Sequence, residues 1–485
     1  VKRRITTKGR HGTANSDCDF FGLTALVGIV TYIKCRKVTR DKSDSRDYFL
    51  AGGGLSWIVV AGSLMMTNIS AEQIVGMNGA QTLLIAWWEI AAAIGLIILA
   101  KWLIPIYYQY NCTTTTELLE RKYNDKGIRA MVSVLFMLGY AFILLPVVLY
   151  TGSLFMKSMF NLSISVTMLS LIFAIVGAIY AIFGGLRAIA ISDSLNGIGL
   201  ILMGIVVSYL AMHAIDFDLS GIPLERLTLV GDNDSDIPWH TLLTGMIFIQ
   251  IFYWGTNMVI TQRALAAKSV KEAQKGLYAA VVMKLIIPLI VVLPGIVAFK
   301  LYGDVGDVAY GKLVGDILPG WMSGAFAAVL AGAVLSSFNS CLNSAAALYT
   351  CDIHQNYINA NADVRKIGTR VALIFTLISV ALVPVFAQSE SIIALLQQLN
   401  GLYSMPVLAA FICALVFKNV NAKAIKCGLV FGVLLYAIFT FVWSPLHFIH
   451  LMALTLAATI IVTLGLSQFV FGQQSSHHQP IPAAE

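Results

Sequence analysis

Two clusters of polar side chains interrupt otherwise apolar stretches of this chain, Thr67-Asn68-Ile69-Ser70-Ala71-Glu72-Gln73 and Ser336-Ser337-Phe338-Asn339-Ser340. An unpaired polar group is costly in hydrocarbon, so clusters of this kind face a cavity or an ion. A hard monovalent cation takes several oxygens, and hydroxyls combined with the carbonyls freed where a helix breaks supply them without fixed charge. A break is expected near Asn68, and with the Ser336-Ser337 pair it favours an ion site. A serine pair alone is also ordinary packing glue between membrane helices.

Charge inside the apolar stretches is sparse. Lys101 and Lys284 are the basic residues there, and Glu72, Glu89 and Asp193 the acidic ones. Each costs at least ~2.5–3.5 kcal/mol at a helix centre unless it has a partner, water or a function. Lys101 lies toward the end of its stretch and can snorkel. Glu89 follows Trp87 and Trp88, and Lys284 follows Gln250, Tyr253 and Trp254. Opposite charges, amides and aromatic faces are what a neutral polyol or sugar needs. A buried Glu/Lys pair that only fixes helix packing explains the same residues equally well, and both readings stand.

The elements that position these groups are set by composition. Of 485 residues, 58% are hydrophobic and 12% charged, with a mean hydropathy of +0.80, which excludes a soluble surface. Thirteen apolar stretches lie at 20–33, 55–79, 82–108, 130–155, 162–183, 189–214, 241–262, 277–299, 322–349, 371–387, 391–417, 427–443 and 448–471. No Pro/Ser-rich linker divides them, so one membrane domain is expected over 20–471, with a disordered tail at 1–19 and a cytoplasmic tail at 472–485. The stretch from Phe20 to Ile33 is only 14 residues, short of the ~20 that span a bilayer.

Lys and Arg number 21 in the loops after stretches 1, 3, 5, 7, 9 and 11, and 4 in the alternate loops. Basic loops stay cytoplasmic, which places the N-terminus outside, the C-terminus inside, and the acidic 214–240 loop outside. The basic residues of 1–18 dissent from this orientation. The net charge of +7 reflects loops and tail, and no contiguous basic face points to nucleic acid. Seven cysteines without a CxxC pair indicate neither a disulfide framework nor a metal centre, and no catalytic constellation points to an enzyme.

Several strings together are recognisable: Asp47-Tyr48-Phe49-Leu50-Ala51-Gly52, Asn68 to Gln73 with Gly76-Met77, Tyr180 to Ala188, Tyr253-Trp254-Gly255, Gln262-Arg263 with Ala273 to Gly276, and Leu335 to Ser340. On these the chain resembles the sodium:solute symporter family, and within it the bacterial sodium/sugar symporters related to the galactose transporter. The resemblance implies an all-α membrane protein of about 13 helices with a leucine-transporter-type core. Its five-plus-five inverted repeats would fall at about 55–214 and 241–417, with broken helices. It implies sodium held by the carbonyls of Met66, Ile69 and Ala333 and the hydroxyls of Ser336 and Ser337. Solute would bind at Gln73, Glu89, Gln250, Tyr253, Lys284 and Gln397, with Asn68 bracing Tyr253. Met77, Trp88 and Ile393 fall at outer-gate positions, with Tyr253 as the inner lid. Asp193, Ser336, Asn339 and Ser340 occupy the region of a second sodium seen in some relatives.

This sequence departs from the galactose type at Gln250 (Asn there), Trp88 (Tyr), Ile393 (an aromatic) and Ala92 (Ser). The expectation is a bacterial inner-membrane symporter that imports a sugar or related polyhydroxylated solute with sodium by alternating access. Its partners would be that solute, the ion and lipid. The alternatives are a monocarboxylate, nucleoside or amino acid as solute, a non-transporting solute sensor, and a channel-like pore.

Overall fold

A helix satisfies every backbone N–H and C=O within its own segment, which is why a chain this apolar folds almost entirely as helices in the computed structural model. The structure describes residues 48–444, 446–473 and 476–477. The basic tail and the short stretch 20–33 lie outside them.

The first polar cluster does break its helix. α1 (Trp57–Asn68) ends because Ile69 leaves helical geometry at φ −80, ψ 73 and Ser70 is extended. α2 (Ala71–Gly79) then departs at 48° to α1. α3 (Leu83–Gln109) and α4 (Lys126–Phe160) are single long spans. The run from Val166 to Ala214 is one continuous helix, whose described apolar parts are α5 (Val166–Ile179) and α6 (Ile189–Ala214). Gly177 lies against Phe338, while Asn196 lies against Gly332. Nineteen residues of straight helix would separate those contacts by ~28 Å, but they are six residues apart on their partner helix, or ~9 Å. The helix from Val166 to Ala214 is therefore not straight.

A second break separates α7 (Gly245–Gly255) from α8 (Met258–Leu265). Asn257 is extended there and caps α8, its Oδ1 accepting the Val259 N–H at 3.2 Å and the Tyr140 hydroxyl at 2.7 Å. The stretch expected at 277–299 is bent by 42° between α9 (Val270–Ile286) and α10 (Pro288–Tyr302), where Pro288 removes a backbone donor. After α11 (Ala309–Ile317), α12 (Gly320–Ile358) carries the second polar cluster. α13 (Val364–Phe386), α14 (Ile392–Val416), α15 (Ala422–Phe441) and α16 (Phe448–Val470) complete the described spans.

Burial separates centre from rim. In α12 83% of the apolar window is inside the protein, against 33% in α13 and in α15, whose outward Leu, Ile and Val side chains are exposed. Eight described helices are long and apolar enough to cross a membrane, and the α1/α2 and α9/α10 pairs are two more if each is one bent span.

Candidate functional site

The two broken helices meet at one polar cavity lined by buried and half-buried side chains. α1 and α2 contribute Asn68, Glu72 and Gln73; α3 contributes Trp88 and Glu89; α7 contributes Gln250, Tyr253 and Trp254. Lys284 enters from α9, and Gln397 and Asn400 from α14. All seven residues expected to contact solute, Asn68, Gln73, Glu89, Gln250, Tyr253, Lys284 and Gln397, thus line a single space.

At its centre Lys284 and Glu89 form a buried ion pair, and the same ammonium donates to Asn68 Oδ1. Such a pair offsets its desolvation only when its spare donors and acceptors are also satisfied, and Asn68 supplies part of that. The Asn68 amide donates in turn to the Tyr253 hydroxyl at 3.3 Å, while Lys284 sits 5.1 Å from the centre of the Trp254 ring. Gln250 is held by the protein yet keeps a second N–H and a second lone pair for a ligand: its Oε1 accepts from Trp254 Nε1 at 3.0 Å and its amide donates to the Trp88 carbonyl at 3.1 Å. Gln73 Oε1 and Glu72 Oε2 are buried without a hydrogen bond of ordinary geometry.

The residues expected at gate positions divide. Trp88 and Tyr253 line the cavity. Met77 is fully buried on α2, and Ile393 packs against Gly76 where α14 meets α2.

At the α1/α2 break, the Ser337 hydroxyl lies 3.5 Å from the carbonyl oxygens of both Met66 and Thr67. The Ser336 hydroxyl is buried and acts on the Asp193 carboxyl, and Ile69 and Ala333 are buried. A serine hydroxyl beside carbonyls released by a helix break is a donor set that fits a small monovalent cation. The second set is less complete. Asp193 Oδ2 accepts from Ser63 at 2.8 Å, while Asp193 Oδ1 and both polar atoms of the Asn339 amide have no partner. Ser340, however, is held by Arg263.

Arg263 is a correction to the sequence reading, which put it in a cytoplasmic loop. It is fully buried on α8, donating to the Val259 carbonyl at 2.6 Å and to Ser340, and the opposite charge acting on it is Asp193. A short helix after a break reads as a loop when only hydropathy is followed. Glu72, Trp254 and Asn400 were also not assigned to the site. Glu72 had a signal, because an acid inside a polar cluster at membrane depth needs a partner or a purpose.

Discontinuous helices that converge on a buried polar cavity are the architecture of secondary transporters. The overall fold matches a solved Na+-coupled sialic acid symporter with a TM-score of 0.81 over 96% of this chain and 99% of that one, at 18% identity. The sodium:solute symporter family model matches residues 48–432, and the chain belongs to that family. It is 36% identical to the uncharacterized symporter YidK of Escherichia coli (strain K12), over 92% of this chain and 82% of that protein. It is 31% identical to the sodium/glucose cotransporter of Vibrio parahaemolyticus, over 93% and 90%. The protein is therefore a sodium-coupled membrane symporter rather than an enzyme, and sodium is its coupling ion.

Proposed function

We propose that this symporter imports a sugar or related polyhydroxylated solute across a bacterial inner membrane by alternating access. Sodium would bind at the Met66, Ile69 and Ala333 carbonyls and the Ser336 and Ser337 hydroxyls, and Gln73, Glu89, Gln250, Tyr253, Lys284 and Gln397 would hold the solute, with Asn68 bracing Tyr253. Met77, Trp88 and Ile393 serve as the outer gate and Tyr253 as the inner lid of this reading, within inverted repeats at about 55–214 and 241–417. The N-terminus lies outside and the C-terminus inside. Sodium at the break favours the state that binds solute, and the gates close over both.

The observation that carries the reading is the Glu89–Lys284 pair inside a cavity of amides and aromatic rings. A carboxylate solute would want a free cation, and the cavity's lysine is already held by Glu89 and Asn68. The Vibrio relative, named a sodium/glucose cotransporter, supports the same solute class. Asp193, Ser336, Asn339 and Ser340 form the second cation set of this reading, and the hold of Arg263 on Ser340 argues for one sodium per cycle.

A thermal-shift screen of sugars, polyols and monocarboxylates in sodium and in potassium tests it. Ligand at about 100 Kd stabilises by ~2.7 kcal/mol. Shifts are expected for polyhydroxylated solutes in sodium only; a shift confined to monocarboxylates would overturn the solute class.

A further inference from the structure

The charges lining the cavity do not balance. Glu89 is matched by Lys284, but Glu72, on the first turn of α2, has no cationic partner among the lining residues. Its Oε2 is fully buried without a hydrogen bond of ordinary geometry, the Ser70 hydroxyl and its own backbone N–H being the donors that act on the carboxyl, and the residue as a whole is only 4% exposed. A buried carboxyl oxygen without a well-formed hydrogen bond carries part of its desolvation cost uncompensated. A donor on the bound solute would remove that cost, and Gln73 Oε1, also unpartnered on the adjacent residue, is a second acceptor at the same wall.

We propose that Glu72 is a specificity-determining solute contact, and that the cavity selects polyhydroxylated solutes bearing a strong hydrogen-bond donor, best of all a protonated amine, over those bearing a carboxylate. The inference rests on the sugar reading above and narrows it. Two acceptors, Glu72 Oε2 and Gln73 Oε1, await donors, while the one ammonium in the wall is engaged. A hydroxyl satisfies one acceptor, an ammonium satisfies both and neutralises the excess charge, and a carboxylate satisfies neither and adds repulsion.

The test uses the full chain in proteoliposomes with glucose, glucosamine and gluconate as competing probes in sodium. The wild-type protein is expected to bind glucosamine more tightly than glucose, and gluconate weakest. Glu72→Gln keeps the shape and loses the charge, so glucosamine affinity falls about 10- to 150-fold, the equivalent of one charge-assisted hydrogen bond, and its advantage over glucose disappears. Sodium half-saturation measured with glucose stays unchanged. The ratio of the two sugars is internal to each preparation, so reduced yield does not disturb it. Glu72→Asp, which retains the charge one methylene shorter, preserves the order if the glutamine variant does not insert. An unchanged glucosamine-to-glucose ratio in Glu72→Gln, with both sugars still bound, overturns the role of Glu72 and leaves the sugar reading intact. Absence of sodium-dependent binding of all three probes to the wild type overturns the sugar reading, and this inference with it.

Discussion

Ser337 is placed where a single hydroxyl can be tested, 3.5 Å from two carbonyls that a helix break has released. Ser337→Ala removes one oxygen without creating a large void, so sodium half-saturation should rise about 5- to 30-fold, equivalent to ~1–2 kcal/mol, with little change in melting temperature. Undiminished sodium-dependent uptake by the Ser336→Ala, Ser337→Ala double variant would show that the ion sits elsewhere. Glu89 and Lys284 call for a different experiment, because breaking a buried pair leaves one charge unpaired whether or not it touches solute. A solute role predicts that Glu89→Gln weakens solute binding about 10- to 150-fold while sodium binding changes little, and that Lys284→Ala does the same. A packing role predicts that each single variant loses stability and that removing both charges restores stability and transport together. Solute affinity and melting temperature, measured on both singles and the double, separate the two.

Helix ends near the cavity are fastened by a loop rather than by the helices themselves. Gln81, just beyond α2, donates to the Gly303 carbonyl at 3.1 Å and accepts from the Val305 N–H at 3.0 Å, while Arg226 reaches the Gln81 carbonyl at 3.3 Å and Asp304 at 2.9 Å. Asp307 of the same loop packs against Gly79 at the end of α2 and accepts the Ile392 N–H at 3.0 Å, capping α14. Burial raises the half-buried Asp307 carboxyl from 3.8 to about 6, against the lowering effect of that N–H. A folded pKa above the unfolded one means that the folded protein holds its proton longer. The stabilising contribution is therefore complete below about pH 4 and is lost as pH rises toward about 6. Asp307→Asn should flatten the fall in melting temperature across that interval and leave the protein about 1–2 kcal/mol more stable at pH 7.5, after discounting for partial exposure. Parallel pH profiles for wild type and variant would remove Asp307 as the cause. The break at Asn68 was legible in the sequence because polar residues inside an apolar run have no other explanation. The bend at Pro288 was not, since a proline in an apolar stretch leaves the hydropathy unchanged. Arg263 was read as loop for the same reason, because α8 is eight residues long and polar along one side. Glu89 and Lys284 stood out as charges inside apolar stretches, whereas Gln73 and Gln397 came from motif resemblance. What spacing could not supply was that Gln250 is held by Trp88 and Trp254, or that Glu72 has no cationic partner among the lining residues.

For the molecule as a whole, the open quantity is how much charge moves with each solute. One positive charge crossing ~100 mV gains ~2.3 kcal/mol, which supports roughly fortyfold accumulation at ~1.4 kcal/mol per decade. A second sodium would square that limit. We propose one: the Asp193 set has an orphaned carboxylate oxygen and amide, but its Ser340 is bound to Arg263, whose own positive charge lies within the influence of Asp193. Another cation there would have to be held against that fixed charge. In proteoliposomes with equal sodium on both sides and an imposed potential of ~100 mV, inside negative, the limiting solute gradient should approach roughly fortyfold and collapse when potassium replaces sodium. A gradient far above that value would mean that Arg263 releases Ser340 and that a second ion enters. No accumulation at all, with solute merely equilibrating, would mean that the chain is a leak rather than a coupled symporter. Pairing the measurement with Asp193→Asn tells the first two cases apart: with one sodium the variant keeps the same limiting gradient, whereas with two it falls to the single-charge value.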